Sequence, residues 1–110
     1  MMSERQYEIV LYGASGFTGK LVAEYLAAEH AQLNWAIAGR NEQKLDQVRR
    51  ELGLPDLPVV VADSGDAGQL TAMARQTHTL ISTVGPYAQY GTPVLEACAN
   101  EGTHYCDLTG

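Results

Sequence analysis

Five short apolar runs alternate with longer amphipathic stretches along this 110-residue chain, and that alternation restricts the fold more than any other feature of the sequence. The runs are YEIVLY at 7–12, NWAIAG at 34–39, PVVVAD at 58–63, TLISTV at 79–84 and HYCDL at 104–108. Near-continuous apolar character over so few residues marks strands covered on both faces. Between them, GKLVAEYLAAEH at 19–30 sets Leu21, Val22, Tyr25 and Leu26 on one helical face, and Asn41 offers an N-cap to EQKLDQVRREL. Further helices are expected from about Asp66 to Gln76 and near 92–101, with Gly53 as a C-cap and Pro55 and Pro58 in a loop. Strict alternation predicts an α/β fold, a doubly wound parallel sheet of Rossmann-like type with five strands and helices on both faces. The whole of 1–110 reads as one domain that looks cut after strand five, since no fifth helix follows CDLTG.

The first strand runs into YGASGFTGK, which places Gly13, Gly16 and Gly19 within seven positions. Glycine in an ordered element costs about 0.5–1 kcal/mol relative to alanine, so three together require a reason. At a strand-to-helix junction the reason is a phosphate-bearing ligand at the helix N-terminus. Gly13 permits the tight turn, Gly16 removes a Cβ that would hold a diphosphate off the backbone, and Gly19 lets the helix pack closely on the strand. Amides around Phe17 and Thr18, with the hydroxyls of Ser15 and Thr18, would then meet phosphate oxygens. The spacing departs from G-x-G-x-x-G by one residue, and the flanking strand and helix supply the context that the motif needs. A P-loop is disfavoured, because the four-residue span between glycines is missing and Leu21 follows Lys20 where Ser or Thr is required.

A second cluster lies in AIAGRNEQKL. In a dinucleotide fold the end of the second strand meets the adenosine ribose, where an acid would hold the 2′-hydroxyl of NAD and an arginine a 2′-phosphate. Arg40 stands there, followed by Asn41, with no acid before Glu42, which argues for NADP(H) in preference to NAD(H). Asp63, closing the third strand, is either an adenine-edge contact or a turn acid within DSGD. After the fourth strand, Gly85 and Pro86 form a tight exit at the switch point of the sheet. Ser82, Thr83 and Val84 would approach the diphosphate and ribose there by backbone, and Tyr87 or Tyr90 could wall the pocket. The expected cofactor-binding set is therefore Gly13, Ser15, Gly16, Phe17, Thr18, Gly19, Arg40, Asn41, Asp63, Thr83, Val84, Gly85 and Tyr87.

Composition removes competing functions. A net charge of −6 with no basic run longer than Arg49-Arg50 argues against nucleic acid. No apolar stretch approaches a membrane span, and MMSERQYE lacks a signal-peptide core, so a cytoplasmic location is expected. Cys98 and Cys106 lack metal-ligand spacing and are expected to be small buried hydrophobes, and His30, His78 and His104 are too scattered for a metal site. No general acid or base is evident. His104 and Asp107 are the nearest candidates, and each has a packing or loop role that explains it equally well.

Taken together, GASGFTG, AGRN followed by KL, and ISTVGPYAQYGTPVLEACANEGTHYCDLTG resemble the N-terminal domain of saccharopine dehydrogenase-like oxidoreductases, the group that includes trans-acting enoyl reductases. The resemblance spans essentially the whole chain, and its last block is more specific than the glycine motif. It implies an NADP-binding domain followed in the parent protein by a substrate domain absent from these residues, with hydride delivered to an imine, carbonyl or enoyl substrate, small or carried on an acyl chain. GASGFTG is also similar to NmrA-like members of the extended short-chain dehydrogenases, some of which sense NADP without catalysis. The Tyr-x-x-x-Lys pair of catalytic short-chain enzymes is absent from these residues, whose only lysines are Lys20 and Lys44. An exposed fifth strand at the sheet edge is expected to promote self-association.

Overall fold

The computed structural model describes residues 5–30, 32–83 and 91–107. Its order is β1 (Tyr7–Tyr12), α1 (Phe17–Glu29), β2 (Trp35–Gly39), α2 (Glu42–Glu51), β3 (Val59–Val61), α3 (Ala67–Arg75), β4 (Thr77–Ser82), α4 (Gly91–Glu101) and β5 (His104–Asp107). All strand pairs are parallel and the sheet order is β3-β2-β1-β4-β5, the expected doubly wound α/β arrangement. Boundaries shift where caps decide them. Residue 58 and residues 62–63 fall outside β3, β4 begins two residues earlier than expected and ends at Ser82, and α1 starts at Phe17 rather than Gly19. Asn41 and Asp66 cap α2 and α3, their side chains accepting from the amides of Lys44 and Gln69. At the other end of α2, Gly53 takes φ +75° and its amide bonds Arg50 O, with Leu54 N reaching Arg49 O.

Alternation along the central strands divides the interior into two cores. Val10 and Tyr12 of β1, Ala36 and Ala38 of β2 and Leu80 of β4 pack with Leu70, Met73 and Ala74 of α3 and with Val94, Ala97 and Cys98 of α4. Leu11, Trp35 and Ile37 pack on the opposite face with Ala23 and Leu26 of α1 and Leu45 and Val48 of α2. β2 is buried along its whole length, whereas the edge strands β3 and β5 are half-exposed.

Two expectations about side chains are corrected by this geometry. The expected apolar face of α1 splits: its buried line is Gly19, Ala23 and Leu26, while Leu21 and Tyr25 are 51% and 57% exposed. The close seating of Gly19 turns those two residues away from β1, and with Thr18, Val22, Leu26 and Ile81 they line a cleft of about 340 Å³. The two cysteines also part company. Cys98 is fully buried, and that burial pushes its thiol up to about 11, but Cys106 is exposed because it lies on the edge strand beside Ile81.

The far end of the sheet from the glycine turn is tied by one side chain. Arg5 Nη1 donates to Ala74 O at 2.8 Å, Thr77 O at 3.0 Å and Thr103 Oγ1 at 2.8 Å, and Nη2 donates to Glu101 O. Thr103 Oγ1 in turn donates to Ala74 O at 2.6 Å. One guanidinium thus bonds carbonyls in the C-terminal turns of α3 and α4 and joins them to the starts of β4 and β5. Arg5→Ala is expected to destabilise the domain by about 2–3 kcal/mol, since bonds to a charged donor are lost and their acceptors stay partly buried. Arg5→Lys should restore only part of that, because an ammonium cannot span the same fork; urea unfolding of the three proteins measures both effects.

Candidate functional site

The strand order reverses direction between β1 and β4, and in doubly wound sheets a crevice at such a point, outside the carboxyl ends of the strands, receives the ligand. Here that crevice measures about 270 Å³. Tyr12, Gly13, Ser15 and Gly16 line it from β1 and its turn, Gly39 and Arg40 from β2, Ser64 from beyond β3 and Thr83 from beyond β4. A larger cleft of about 440 Å³ beside α2 is walled by Asp46, Arg49 and Arg50, which are already paired with one another in salt bridges of 2.8 and 3.0 Å.

The three glycines of the turn have three separate reasons. Gly13 has φ +88°, a conformation that side chains rarely adopt, and its amide is pinned to Ala38 O of β2 at 2.9 Å. A Cβ on Gly19 would stand 2.1 Å from Gly13 O, so only glycine allows α1 to sit on the turn. Gly16 differs from both: its φ of −80° suits any residue, and an added Cβ would make only ordinary contact, 3.5 Å from Gly13 O. Packing among the described residues therefore does not explain Gly16. Gly16 is the N-cap of α1 and, having no side chain, makes no side-chain bond to the helix start, in contrast to Asn41 and Asp66 on the next two helices. Lys20 N reaches Gly16 O at 2.9 Å, so the amides of Phe17, Thr18 and Gly19 precede the first bond of the helical ladder and point toward its positive end.

The other expected residues are sorted by the fold. Arg40 is exposed at the cleft mouth, and Ser15 lines it half-buried. Phe17, 82% exposed, and Thr18, exposed beside Leu21, stand on the outer side of the helix start, so their contribution is limited to backbone. Asn41 spends its side-chain oxygen on capping α2. Asp63 accepts from Gly65 N at 3.0 Å while its own amide donates to Gln69 Oε1 at 2.8 Å, the geometry of a turn acid, and it does not line the cleft. Thr83 does line it, but its backbone amide is not available to a diphosphate. That amide and the Thr83 hydroxyl both donate to Tyr12 O at 3.1 Å, and the hydroxyl also reaches Gly13 O at 3.1 Å. Ser82 is buried and hydrogen-bonded to Tyr105, away from the cleft. Val84, Gly85 and Tyr87 lie outside the described residues.

Three lining residues, Tyr12, Gly39 and Ser64, lie outside the expected set. The Tyr12 ring is buried and its hydroxyl donates to Ala62 O at 3.0 Å. Burial pushes that hydroxyl above the usual tyrosine range, against the opposing pull of hydrogen bonds from Ser64 and of the Arg40 charge, with Asp63 adding to the rise. The only signal available beforehand was the presence of a phenol in an apolar strand, directly before the glycine turn. Among the described residues no group of three or more His, Cys, Asp or Glu could hold a metal, and no helix is long and apolar enough to cross a membrane.

Comparison with known proteins agrees with this geometry. The family model described as the saccharopine dehydrogenase NADP binding domain matches residues 9–110. A trans-acting enoyl reductase of Mycobacterium leprae is 48% identical over 109 residues, which is 97% of this chain and 26% of that protein. The chain thus spans about a quarter of the length of the curated relatives it matches. Among solved structures, saccharopine dehydrogenase of Saccharomyces cerevisiae superposes with a TM-score of 0.75 at 22% identity, covering 92% of this chain and 21% of the yeast chain. Triphenylmethane reductase of Citrobacter sp., solved with NADP(H), superposes with a TM-score of 0.75 at 21% identity, over 92% of this chain and 36% of its own. A glycine turn, an uncapped first helix and an arginine at the end of β2 are what an NADP-binding domain needs, and the chain belongs to the saccharopine dehydrogenase NADP-binding domain family.

Proposed function

We propose that this chain is the cofactor half of an NADP(H)-dependent oxidoreductase that delivers hydride to an imine, carbonyl or enoyl group, with substrate held by a second domain outside these 110 residues. The observation that carries the reading is Gly16, which no packing among the described residues requires to be glycine, at a start of α1 that has no side-chain cap from its N-cap residue. A diphosphate lying over Gly16 would accept from the amides of Phe17, Thr18 and Gly19, with the Ser15 hydroxyl beside it. Arg40 would take the 2′-phosphate at the cleft mouth, with Asn41 next to it holding the start of α2 in place. The Gly85 and Tyr87 region would carry the nicotinamide end. Relatives named enoyl reductases at nearly half identity favour an enoyl substrate among the three classes.

The same relatives are about four times as long as this chain, and the cleft between Leu21, Tyr25 and Ile81 is almost wholly apolar, which suits contact with a further domain. β5 pairs only with β4 among the described residues, so the 110-residue chain alone is expected to self-associate through that edge. A cytoplasmic location belongs to the same reading; both described cysteines are free thiols, which fits a reducing compartment.

Gly16→Val is expected to leave a folded domain, because the backbone there tolerates a side chain, and to abolish NADPH binding in calorimetric titration. A folded variant of unchanged affinity would remove the phosphate site. Arg40→Ala should weaken NADPH by roughly ten- to a hundredfold, as loss of a charged hydrogen bond does, and leave NADH almost unaffected. Equal losses for both cofactors would mean that Arg40 does not read the 2′-phosphate. Finally, the 110-residue chain should bind NADPH yet not oxidise it when offered imine, carbonyl or enoyl-thioester substrates, while the longer parent protein turns over at least one. Saturable turnover by the short chain would refute the two-domain reading, and sedimentation of the two proteins measures the self-association.

A further inference from the structure

Tyr12 ends β1, a position where packing alone asks for an aliphatic side chain. Its ring lies in the core shared with α3 and α4, and Ala38, its neighbour in register on β2, is small enough to let the ring pass over toward β3. The hydroxyl therefore reaches a segment two strands away, donating to Ala62 O at 3.0 Å, two residues before Ser64. That segment needs an anchor. β3 has three residues and, among the described residues, pairs only with β2, and a tie beyond it runs from Ala62 N to Gly39 O at 2.8 Å. Beyond it Asp63 is committed to its own turn, which leaves Ser64 as the side chain that this turn contributes to the cleft.

We propose that Tyr12 is a positioning residue for the adenosine end of the cofactor site, its hydroxyl holding the turn at 62–65 so that Ser64 closes the cleft opposite Arg40. The inference rests on the reading of this cleft as the dinucleotide site. It assigns the adenosine wall to Ser64 rather than Asp63, and it explains a phenol whose hydroxyl serves no purpose within its own strand.

The test is calorimetric titration of 2′,5′-ADP, which carries the adenosine end alone, and of NADPH, into the protein and its Tyr12→Phe, Ser64→Ala and doubly substituted variants. Each single change should weaken both ligands about three- to tenfold, the effect of one neutral hydrogen bond. The double variant should lose no more than the weaker-binding single one, because Tyr12 acts on the ligand through the position of Ser64. Val94→Ala, in the same core but away from the cleft, serves as a control that lowers the melting temperature without changing either affinity. Unchanged affinity for Tyr12→Phe would overturn the proposal, as would additive losses, which would mean that Ser64 acts independently of Tyr12. If Tyr12→Phe does not fold, unchanged affinity in Ser64→Ala alone overturns it. Failure of the underlying site reading is separable: there, Gly16→Val and Arg40→Ala would also leave 2′,5′-ADP binding intact.

Discussion

The contact between Gly19 and the Gly13 carbonyl is the constraint on which the rest of the site depends. A Cβ at Gly19 would meet the carbonyl oxygen at 2.1 Å and the Ala14 Cα at 2.7 Å, far inside any tolerable separation. Because that space is empty, α1 seats directly on the turn, its first amides converge at the cleft, and its buried line runs through Gly19, Ala23 and Leu26 rather than through the larger apolar residues. The same seating leaves Leu21 and Tyr25 on the flank above Ile81. One steric requirement thus sets both the ligand-facing end of the helix and the apolar cleft on its side.

Around that contact the domain contrasts satisfied and unsatisfied helix ends. Asn41 and Asp66 close the starts of α2 and α3, and Arg5 closes the ends of α3 and α4 at the opposite edge of the sheet. The start of α1 alone among these three N-termini lacks a side-chain cap. Thr83 reinforces the arrangement by bonding the carbonyls of Tyr12 and Gly13, which fixes the turn from the β4 side while Ala38 O fixes it from the β2 side. The turn that leads into α1 is therefore held between two strands.

Periodicity made the element order legible, because strands buried on both faces read as short continuous apolar runs and helices as longer mixed ones. The roles of Gly13 and Gly19 were legible for the same reason: a turn between a strand and a helix admits few uses for glycine. Asp63 was ambiguous beforehand, since a carboxylate in DSGD serves a turn or a ligand equally well, and only the bond from Gly65 N resolved it. Ser64 and Tyr12 were not legible, because serine in a turn and tyrosine in a strand are unremarkable until both are seen to line one cleft.

What the sequence by itself determined was the α/β class, the count and order of elements, the place of the glycine turn and the arginine beyond β2. All of these follow from local patterns and from the steric freedom of single residues. Tertiary structure alone decided which apolar face of α1 is buried, that Cys106 is exposed while Cys98 is not, and that the Thr83 amide is spent on Tyr12 rather than offered to a ligand. Each of those depends on which strand lies next to which, a relation between residues as much as 71 positions apart, as Tyr12 and Thr83 are, that no local pattern encodes.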